Sequence, residues 1–361
     1  MSKIILASIN YSAGLEKEIQ VLADQFSLSN EVLVLQHSKY KFKLGKNITT
    51  LKLTNQLGIL GFLKDLFQFV KLPLKLKNLD LVHSKLVIYN PHPFNFLLQI
   101  IFKFYKTKSY VALHEPYKSI RELINYEIGL SLYLLLANIF QAISILLSTN
   151  VILMSPYGRK LFKTILISKL KNNPIQVNLL LNNSKIKNPR KYISFVGRLN
   201  KNKGIFDFID LVQYYKKFIN KEYIFLIVSS DNISKFIPKD LLNYKNLILL
   251  HKPNLSDKII EDVVSKSLVV NVLHKSGTQS GVLPLSLSLS TPTIVRDIEP
   301  FTQYIKLKNW TLNKEISAID YFNKLDYIVE NYADNMKYAD SIFQEYFDKK
   351  NAQNLYKEIL K

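Results

Sequence analysis

The first half of the chain alternates short apolar runs, rich in β-branched residues, with longer stretches of helical periodicity. The runs that predict strands lie at residues 3–9, 31–36, 48–53, 81–89, 109–113 and 151–154. Helices are predicted between them at 14–26, 57–70 and 94–105, and Ser155-Pro156 is expected to begin a further helix as its cap and first turn. This order predicts a parallel sheet with helices on both faces.

A polar segment at residues 171–190 separates this pattern from a second one. The segment has no helical period, and we interpret it as the linker between an N-terminal domain, 1–172, and a C-terminal domain, 190–344. The second pattern predicts strands at 192–196, 223–228, 247–250, 268–273 and 293–295, and helices at 206–218, 257–266, after Ser280, and at 316–331, 335–347 and 352–360. We therefore expect an α/β protein with two Rossmann-like, doubly wound domains that face a ligand-binding cleft.

Composition narrows the range of functions. The 361 residues include no Cys, which excludes a disulfide scaffold, a Cys-ligated metal centre and a cysteine nucleophile. Lys and Arg number 49 against 28 Asp and Glu, and the net charge of +21 predicts an anionic partner: nucleic acid, a membrane surface or a phosphorylated substrate. An AT-rich genome is the alternative source of the Lys excess. No Arg-rich tail or zinc-finger spacing supports nucleic acid, which we do not expect as a partner.

Targeting and membrane signals are weak. No targeting signal is recognised at the start of the chain. The most apolar stretch, residues 130–154, is interrupted by Asn138, Gln141 and Asn150, and we interpret it as a buried helix followed by a strand. We expect a cytoplasmic protein, either soluble or peripheral on the inner face of the plasma membrane.

The most informative motif is Phe195-Val-Gly-Arg-Leu-Asn-Lys-Asn-Lys-Gly204. A predicted strand ends at Val196, Gly197 permits a tight exit, and Arg198 and Lys203 flank the loop before the next helix. Both cations can reach one anion near a helix N-terminus, where free N–H groups also point outward. A diphosphate suits such a site; the alternative is a solvated basic turn.

A second motif begins at Ser276 and contains a small, hydroxyl-rich loop between a predicted strand and a helix. The candidate donor-binding residues of this loop are Thr278, Gln279, Ser280, Gly281 and Val282. Backbone N–H groups at 280–282 would form another seat for an anion. The alternative is an ordinary turn with capping residues.

Together, and in this order, the two motifs resemble the C-terminal domain of family 4 glycosyltransferases of the GT-B fold. The resemblance implies that Arg198 and Lys203 bind the diphosphate of a nucleotide-sugar donor, and Ser290-Thr291-Pro292 matches the family's Gly-Thr-Pro turn. Gly14 lies in the first β–α loop, on the acceptor side, where the family has a Gly-rich run. The closing segment resembles the family's terminal helices that cross back, so helix 345–361 is expected to complete the N-terminal domain.

The chain departs from the family pattern in the second motif. The family commonly has two Glu there, one at the donor sugar and one at the ribose, and the alignment places Gly277 and Leu285 at these positions. Neither contact carries over. Gln279 and Thr278 are the candidate substitutes, and the Gln-Ser-Gly-Val run resembles members that lack the first Glu.

His114-Glu115-Pro116 follows a predicted strand and resembles the family's His-Asp-Pro, whose His faces the donor sugar. A His there can donate to a sugar hydroxyl or a developing oxyanion, and the alternative is a His that holds a loop. His92 and Glu115 are weaker candidates on the acceptor side. Because no two His have metal-ligand spacing, we expect no metal. The resemblance implies a nucleotide-sugar as co-substrate and no cofactor.

Basic and apolar residues mix in two N-terminal segments. Lys39, Lys41, Lys43 and Lys46 form one cluster, and residues 59–77 form an apolar helix that ends in a basic stretch. Such surfaces can lie on anionic lipid, and the alternative is a core helix with a solvated tail.

The resemblance implies a retaining glycosyltransferase, and we expect a metal-independent enzyme of the hexosyltransferase class with His114, Arg198 and Lys203 at its centre. It would move a sugar from a nucleotide-sugar to a glycan or polyprenol-linked acceptor, in bacterial surface polysaccharide or lipopolysaccharide synthesis. The main alternative is an inactive, nucleotide-sugar-binding homologue or regulatory partner. A phosphorylase or epimerase keeps the same fold, but the chain lacks a recognisable cofactor-lysine motif and a paired-His pattern.

Overall fold

The computed structural model describes residues 3–9, 13–37, 48–53, 67, 69–73, 76, 81–89, 95–114, 128–171, 173–178, 180–182, 189–253, 255–277 and 279–360. The chain forms two compact units. The first consists of Met1–Leu180 and Lys349–Lys361, and the second of Leu181–Asp348. The boundaries therefore lie at 180 and 348, where the sequence predicted 172–190 and 344.

Within the described residues, seven parallel strands form the sheet of the first unit. They are β1 (Lys3–Ser8), β2 (Glu31–His37), β3 (Ile48–Leu53), β4 (Lys85–Ile88), β5 (Lys108–Leu113), β6 (Asn150–Leu153) and β7 (Ile175–Gln176). Their spatial order is β3-β2-β1-β4-β5-β6-β7. Since β1 pairs with both β2 and β4, the chain changes its winding direction at β1, and the carboxyl edge beside it is the usual ligand position in such sheets.

Helices cover both faces of this sheet. They are α1 (Ala13–Ser27), α2 (Asn95–Lys103), α3 (Ile128–Leu147), α4 (Pro156–Lys163) and the last helix of the chain, called α11 (Ala352–Leu360). Along β1 the side chains alternate: Ile4 and Leu6 join the core under α1 and α11, whereas Ile5 and Ala7 join the core on the opposite face. The two cores confirm the predicted sheet with buried faces.

Several local predictions are confirmed by named contacts. Ser155 caps α4 by accepting the Gly158 N–H at 2.9 Å, with Pro156 in the first turn. The return of the chain end to the first unit is confirmed for α11: the carbonyl oxygen of Ile359 accepts from Lys85 Nζ at 2.6 Å and from the Tyr110 hydroxyl at 3.2 Å.

Three expectations for this unit are corrected. The strand predicted over 81–89 shortens to Lys85–Ile88, because the chain turns at Leu81–Ser84, with His83 at φ 60°. The predicted linker begins with β7, whose pairing with β6 makes it part of the sheet. Gly14 lies in the first turn of α1 rather than in the loop before it.

The predicted 130–154 stretch forms α3 followed by β6, as expected, but α3 is only partly buried. Leu135, Ile139 and Leu146 are exposed along one side of the helix. No helix among the described residues combines the length and the apolarity that crossing a bilayer requires. The cluster Lys39, Lys41, Lys43 and Lys46 and most of the predicted helix 57–70 lie outside the described residues.

In the part of the second unit that the structure describes, six parallel strands form the sheet. They are β8 (Tyr192–Val196), β9 (Ile224–Ser229), β10 (Leu247–His251), β11 (Ser267–Val272), β12 (Thr293–Arg296) and β13 (Thr311–Leu312), in the order β10-β9-β8-β11-β12-β13. The winding direction changes between β8 and β11. The two sequence motifs follow these two strands, so the topology places both at one carboxyl edge.

The helices of the second unit complete a doubly wound arrangement. They are α5 (Ile205–Phe218), α6 (Asp257–Ser265), α7 (Val282–Ser288), α8 (Glu299–Thr302), α9 (Ala318–Glu330) and α10 (Tyr332–Tyr346). Trp310 is fully buried beside the short β13 and donates its indole N–H to Asn335 Oδ1 on α10 at 2.6 Å. Of the closing helices, α10 stays with the second unit and only α11 belongs to the first.

Candidate functional site

The loop after β8 starts with a glycine that its backbone requires. Gly197 has φ 129°, a region that L side chains rarely adopt, although a Cβ there would meet nothing within 4 Å. Its N–H donates to the Val228 carbonyl oxygen at 3.0 Å, which keeps the exit of β8 beside β9. The next residue, Arg198, is exposed, and its side chain makes no hydrogen bond or ion pair with any residue that the structure describes.

A second glycine closes this loop for a steric reason. Asn200 caps a short 3-10 turn by accepting the Lys203 N–H at 2.9 Å, and the turn ends at Gly204 with φ 81°. A Cβ on Gly204 would lie 2.3 Å from the carbonyl oxygen of Leu273. Only glycine therefore lets the start of α5 approach the end of β11, and this approach places Lys203 beside the second motif.

Hydrogen bonds join the two motifs directly. The Lys275 N–H donates to the Asn202 carbonyl oxygen at 2.7 Å, and the Ser276 hydroxyl donates to Asn202 Oδ1 at 2.7 Å. The Asn202 amide in turn donates to the Ser276 carbonyl oxygen at 3.2 Å. Residues about seventy positions apart in the chain thus form one surface at the change of winding direction.

His274 lies under this surface and stays neutral. Burial, and secondarily the positive charge of Lys203, lower its pKa from 6.5 to about 3. Its ring packs against Phe301 with a centroid distance of 5.3 Å. The Lys203 ammonium group therefore lies beside an uncharged imidazole.

A buried ion pair that the sequence did not reveal holds the second motif in place. Asp207, in the first turn of α5, lies 2.8 Å from Arg296 Nη2 and 3.2 Å from Lys275 Nζ. Arg296 is 4% exposed, and its Nε donates to the Leu273 carbonyl oxygen at 3.1 Å. The only sequence signal was an acidic residue in a helix's first turn. Asp207 thus pairs with both Lys275 and Arg296, next to the loop that carries Arg198 and Lys203.

The rest of the second motif leads into α7. Gly277 has φ 132°, Gln279 is partly buried, Ser280 is buried, and Gly281 precedes the helix. The first intrahelical bond runs from Leu285 to Gly281, so helix geometry leaves the N–H of Val282 without an intrahelical acceptor. Gly277 and Leu285 provide no carboxylate. Thr278 lies outside the described residues.

The candidate residue of the first unit, His114, follows β5. Its Nε2 lies 2.7 Å from the Tyr89 carbonyl oxygen, and burial lowers its pKa from 6.5 to about 4. A neutral ring that bonds a carbonyl oxygen through Nε2 carries its proton there, so Nδ1 is its acceptor nitrogen. In this tautomer Nδ1 has the capacity to accept a hydrogen bond, and the expected donation to a sugar hydroxyl or developing oxyanion remains a prediction. His92 and Glu115 lie outside the described residues.

Sequence reasoning also missed Glu18, a fully buried residue on α1. Its Oε1 accepts from the Tyr89 hydroxyl at 2.5 Å and from the Leu180 N–H at 3.3 Å. Burial raises its pKa from 4.5 to about 8, against the lowering effect of these two hydrogen bonds. The carboxyl group is therefore protonated at neutral pH. Its spacing of three and four residues from Val21 and Leu22 places it on the apolar face of α1, a signal that the sequence analysis did not use.

Metal ligands are not clustered in the described part of the chain, where no group of three acidic or His side chains is arranged to hold an ion. The expectation of a metal-free reaction remains a prediction.

Comparison with solved structures relates the whole chain to glycosyltransferases. HepE of Anabaena, in complex with UDP-glucose, is 13% identical and has a TM-score of 0.68, with 100% of this chain and 99% of that chain covered. A glycosyltransferase of Rickettsia africae is 13% identical, with a TM-score of 0.66 and the same coverage. A UDP-forming α,α-trehalose-phosphate synthase of Burkholderia xenovorans, in complex with glucose-6-phosphate, is 12% identical, with a TM-score of 0.70 and 100% of both chains covered.

No protein-family model and no curated protein sequence matches the chain. Identities at this level show the fold alone. The α/β class with two doubly wound units, shared with GT-B glycosyltransferases, is confirmed, while membership of family 4 remains a prediction.

Proposed function

We propose that this protein is a nucleotide-sugar-dependent glycosyltransferase that binds the donor diphosphate at the carboxyl edge of the second sheet, between β8 and β11. The observation that carries the proposal is the junction of the two motifs: Gly204 and Asn202 hold Lys203 against the loop that leads into α7. The fold shared with a UDP-glucose complex supports a nucleotide-sugar as the donor.

The chemistry follows from the charges at this edge. In the transfer, the bond between the sugar C1 and the diphosphate oxygen breaks, a bond to the acceptor oxygen forms, and the acceptor hydroxyl loses its proton. Negative charge develops on the departing diphosphate, and preorganised cations and N–H groups stabilise it. Arg198 and Lys203 supply the cations, and the first turn of α7 supplies N–H groups. Retention of configuration and metal independence are part of the proposal and come from the family resemblance.

His114 is assigned to the transferase site of the first unit, with Gly14, His92 and Glu115 on the acceptor side. Its neutral ring suits hydrogen-bond acceptance from a hydroxyl through Nδ1, whereas a pKa of about 4 leaves it a weak base. We assign the acceptor to the glycans or polyprenol-linked sugars of bacterial surface polysaccharide or lipopolysaccharide synthesis, and the enzyme to the hexosyltransferases. Gln279 and Thr278 are assigned to the donor sugar in place of the absent Glu pair.

Attachment to an anionic membrane surface on the cytoplasmic side is a further part of the proposal. On the helical layer of the first unit, Phe104 is 85% exposed and lies between the exposed Lys103 and Lys106. Leu146 and Leu170 add exposed apolar area on α3 and the turn that follows α4. Apolar side chains among lysines are typical of surfaces that bind anionic lipid.

Cosedimentation with vesicles tests the membrane part. Phe104→Ser is expected to lower binding to vesicles that contain phosphatidylglycerol. The matched control is Phe218→Ser, which removes an exposed Phe from the end of α5 in the second unit. Equal binding of wild type and Phe104→Ser would refute this assignment.

The donor is tested with a thermal-shift panel of UDP-, GDP-, ADP- and CMP-sugars, followed by measurement of nucleotide release in the presence of lipid-linked acceptors. A ligand that binds only the folded protein raises its melting temperature. We expect one nucleoside diphosphate sugar to stabilise the protein and to be consumed. The absence of stabilisation by every donor would refute the proposal.

The second candidate function is an inactive homologue that binds nucleotide-sugars. The residues at positions 277 and 285, Gly and Leu, favour it, since the usual carboxylates are missing. Binding of a donor without its consumption, in the presence of every acceptor class, would support this candidate over the enzyme.

A further inference from the structure

A chain of side chains runs through the core of the first unit and ends at His114. Glu18 Oε1 accepts a hydrogen bond from the Tyr89 hydroxyl, and the carbonyl oxygen of the same Tyr89 accepts one from the Nε2–H of His114. The Tyr89 and His114 rings also meet edge to face, with a centroid distance of 5.2 Å and an interplanar angle of 81°. Tyr89 therefore contacts His114 through both its carbonyl oxygen and its ring. Glu18 bonds the hydroxyl group at the other end of the Tyr89 side chain.

We propose that Glu18 and Tyr89 are positioning residues that fix the ring orientation and the tautomer of His114 in the transferase site. The consequence for catalysis rests on the proposed function. The effect on the ring orientation and tautomer of His114 does not depend on it. Neither residue is expected to touch the substrate.

The position of Tyr89 explains why it needs an anchor. It is the first residue after β4, where the chain leaves the sheet, and its N–H donates to the Ala7 carbonyl oxygen at 2.8 Å. Its side chain is fully buried and spans from this edge to α1. Tyr89 is thus held at two points, its backbone N–H and its side-chain hydroxyl. Together these two hydrogen bonds restrict the orientation of Tyr89, and with it the direction of the carbonyl oxygen that bonds His114. Without the hydroxyl bond, only packing would hold the Tyr89 ring against His114.

A role in stability alone does not account for Glu18. Its carboxyl group is completely buried, and Oε2 has no hydrogen-bond partner among the described residues. Burying a carboxyl group costs free energy that an apolar side chain of similar volume would not cost. The carboxyl group therefore costs stability in the unit that it occupies, and its two hydrogen bonds hold the Tyr89 hydroxyl and the Leu180 N–H.

The test measures the tautomer of the His114 ring by NMR on protein labelled with ¹⁵N-histidine. The His114 resonances are assigned from their absence in a His114→Gln variant. Glu18→Met keeps the volume and removes the acceptor, and Tyr89→Phe removes the donor. Glu18→Gln keeps a neutral acceptor for the hydroxyl. The matched control is Tyr110→Phe, which removes another buried hydroxyl of the same sheet, one that bonds the Ile359 carbonyl oxygen instead of Glu18.

In the wild type, Nε2 is expected to carry the proton. Losing one hydrogen bond that holds Tyr89 should lower the ratio of the Nε2–H to the Nδ1–H tautomer about tenfold in Glu18→Met and Tyr89→Phe. Glu18→Gln and Tyr110→Phe should keep the wild-type ratio. A purely structural role predicts lower stability with an unchanged ratio in all four variants, and that result would overturn the inference.

The kinetic counterpart is a lower kcat with an unchanged KM for the donor in Glu18→Met and Tyr89→Phe, with Glu18→Gln close to wild type. Because the NMR measurement needs no substrate, a wild-type protein without transferase activity would overturn the proposed function and leave the positioning of His114 to be decided by the tautomer ratio.

Discussion

Replacing Glu18 by Gln should change the pH dependence of stability in a direction that the structure fixes. The folded state keeps the Glu18 proton up to a pKa of about 8, whereas the unfolded chain releases it near the ordinary value of 4.5. Between these values the unfolded state binds fewer protons, so the free energy of unfolding falls as pH rises. For one group the slope is about 1.4 kcal/mol per pH unit. Below pH 4.5 both states are protonated and the contribution vanishes.

Glu18→Gln removes this proton and its slope, and leaves the other titrating groups in place. From pH 5.5 to pH 7.5, the stability of the variant relative to wild type should therefore rise by about 2.7 kcal/mol. The gain should level off above pH 8.

Urea unfolding of both proteins at several pH values measures this difference, with the transition of the first unit followed separately because the chain has two units. Tyr110→Phe serves as a control that should show no pH-dependent difference from wild type over the same range. A relative stability of Glu18→Gln that is constant across the range would show that the carboxyl group is ionised in the fold, and would refute the reasoning.

Three further changes test other parts of the structure. Gly204→Ala should destabilise the second unit by several kcal/mol, because its Cβ would lie 2.3 Å from the Leu273 carbonyl oxygen. The control Gly281→Ala should be tolerated, since a Cβ there meets open space and φ is ordinary. Equal melting temperatures of the two variants would contradict this. Ser290→Gly should stabilise the protein by roughly 0.5–1 kcal/mol in urea unfolding, because Ser290 has φ 51°, and any loss of stability would count against it. His114 should stay neutral down to about pH 4 in an NMR titration, and a transition near pH 6.5 would show that it is not desolvated.

The sequence predicted the local structure well where the hydrophobic pattern is strong. The bounds of β3, β8 and α11 agree with the predicted segments. For β8 and α11 the reason is that a continuous apolar run specifies a buried strand, and apolar residues at helical spacing specify a helix face. It failed for β7 and β13, each two residues long, since so short a strand is defined by its pairing with a neighbour and has no periodicity of its own.

The candidate site was predictable in part for the same reason. Arg198 and Lys203 belong to one short segment, and the topology of a doubly wound sheet brings that segment to the second motif. The Asp207–Arg296 ion pair and the Glu18–Tyr89 hydrogen bond join residues far apart in the chain. The pairing of these residues cannot be read from sequence spacing. Helical spacing places Glu18 on the apolar face of α1, but only the packed structure shows that its carboxyl group is fully buried and bonded to Tyr89.

The central claim, that Arg198 and Lys203 hold a donor diphosphate, is tested most directly by donor binding to Arg198→Ala/Lys203→Ala. The control is Lys201→Ala, which removes an exposed lysine from the same loop. Calorimetric titration with the donor identified in the thermal-shift panel should show affinity at least about 100-fold weaker in the double variant, because two charge-assisted hydrogen bonds are lost, and near wild type in the control. Wild-type affinity in the double variant would contradict the account.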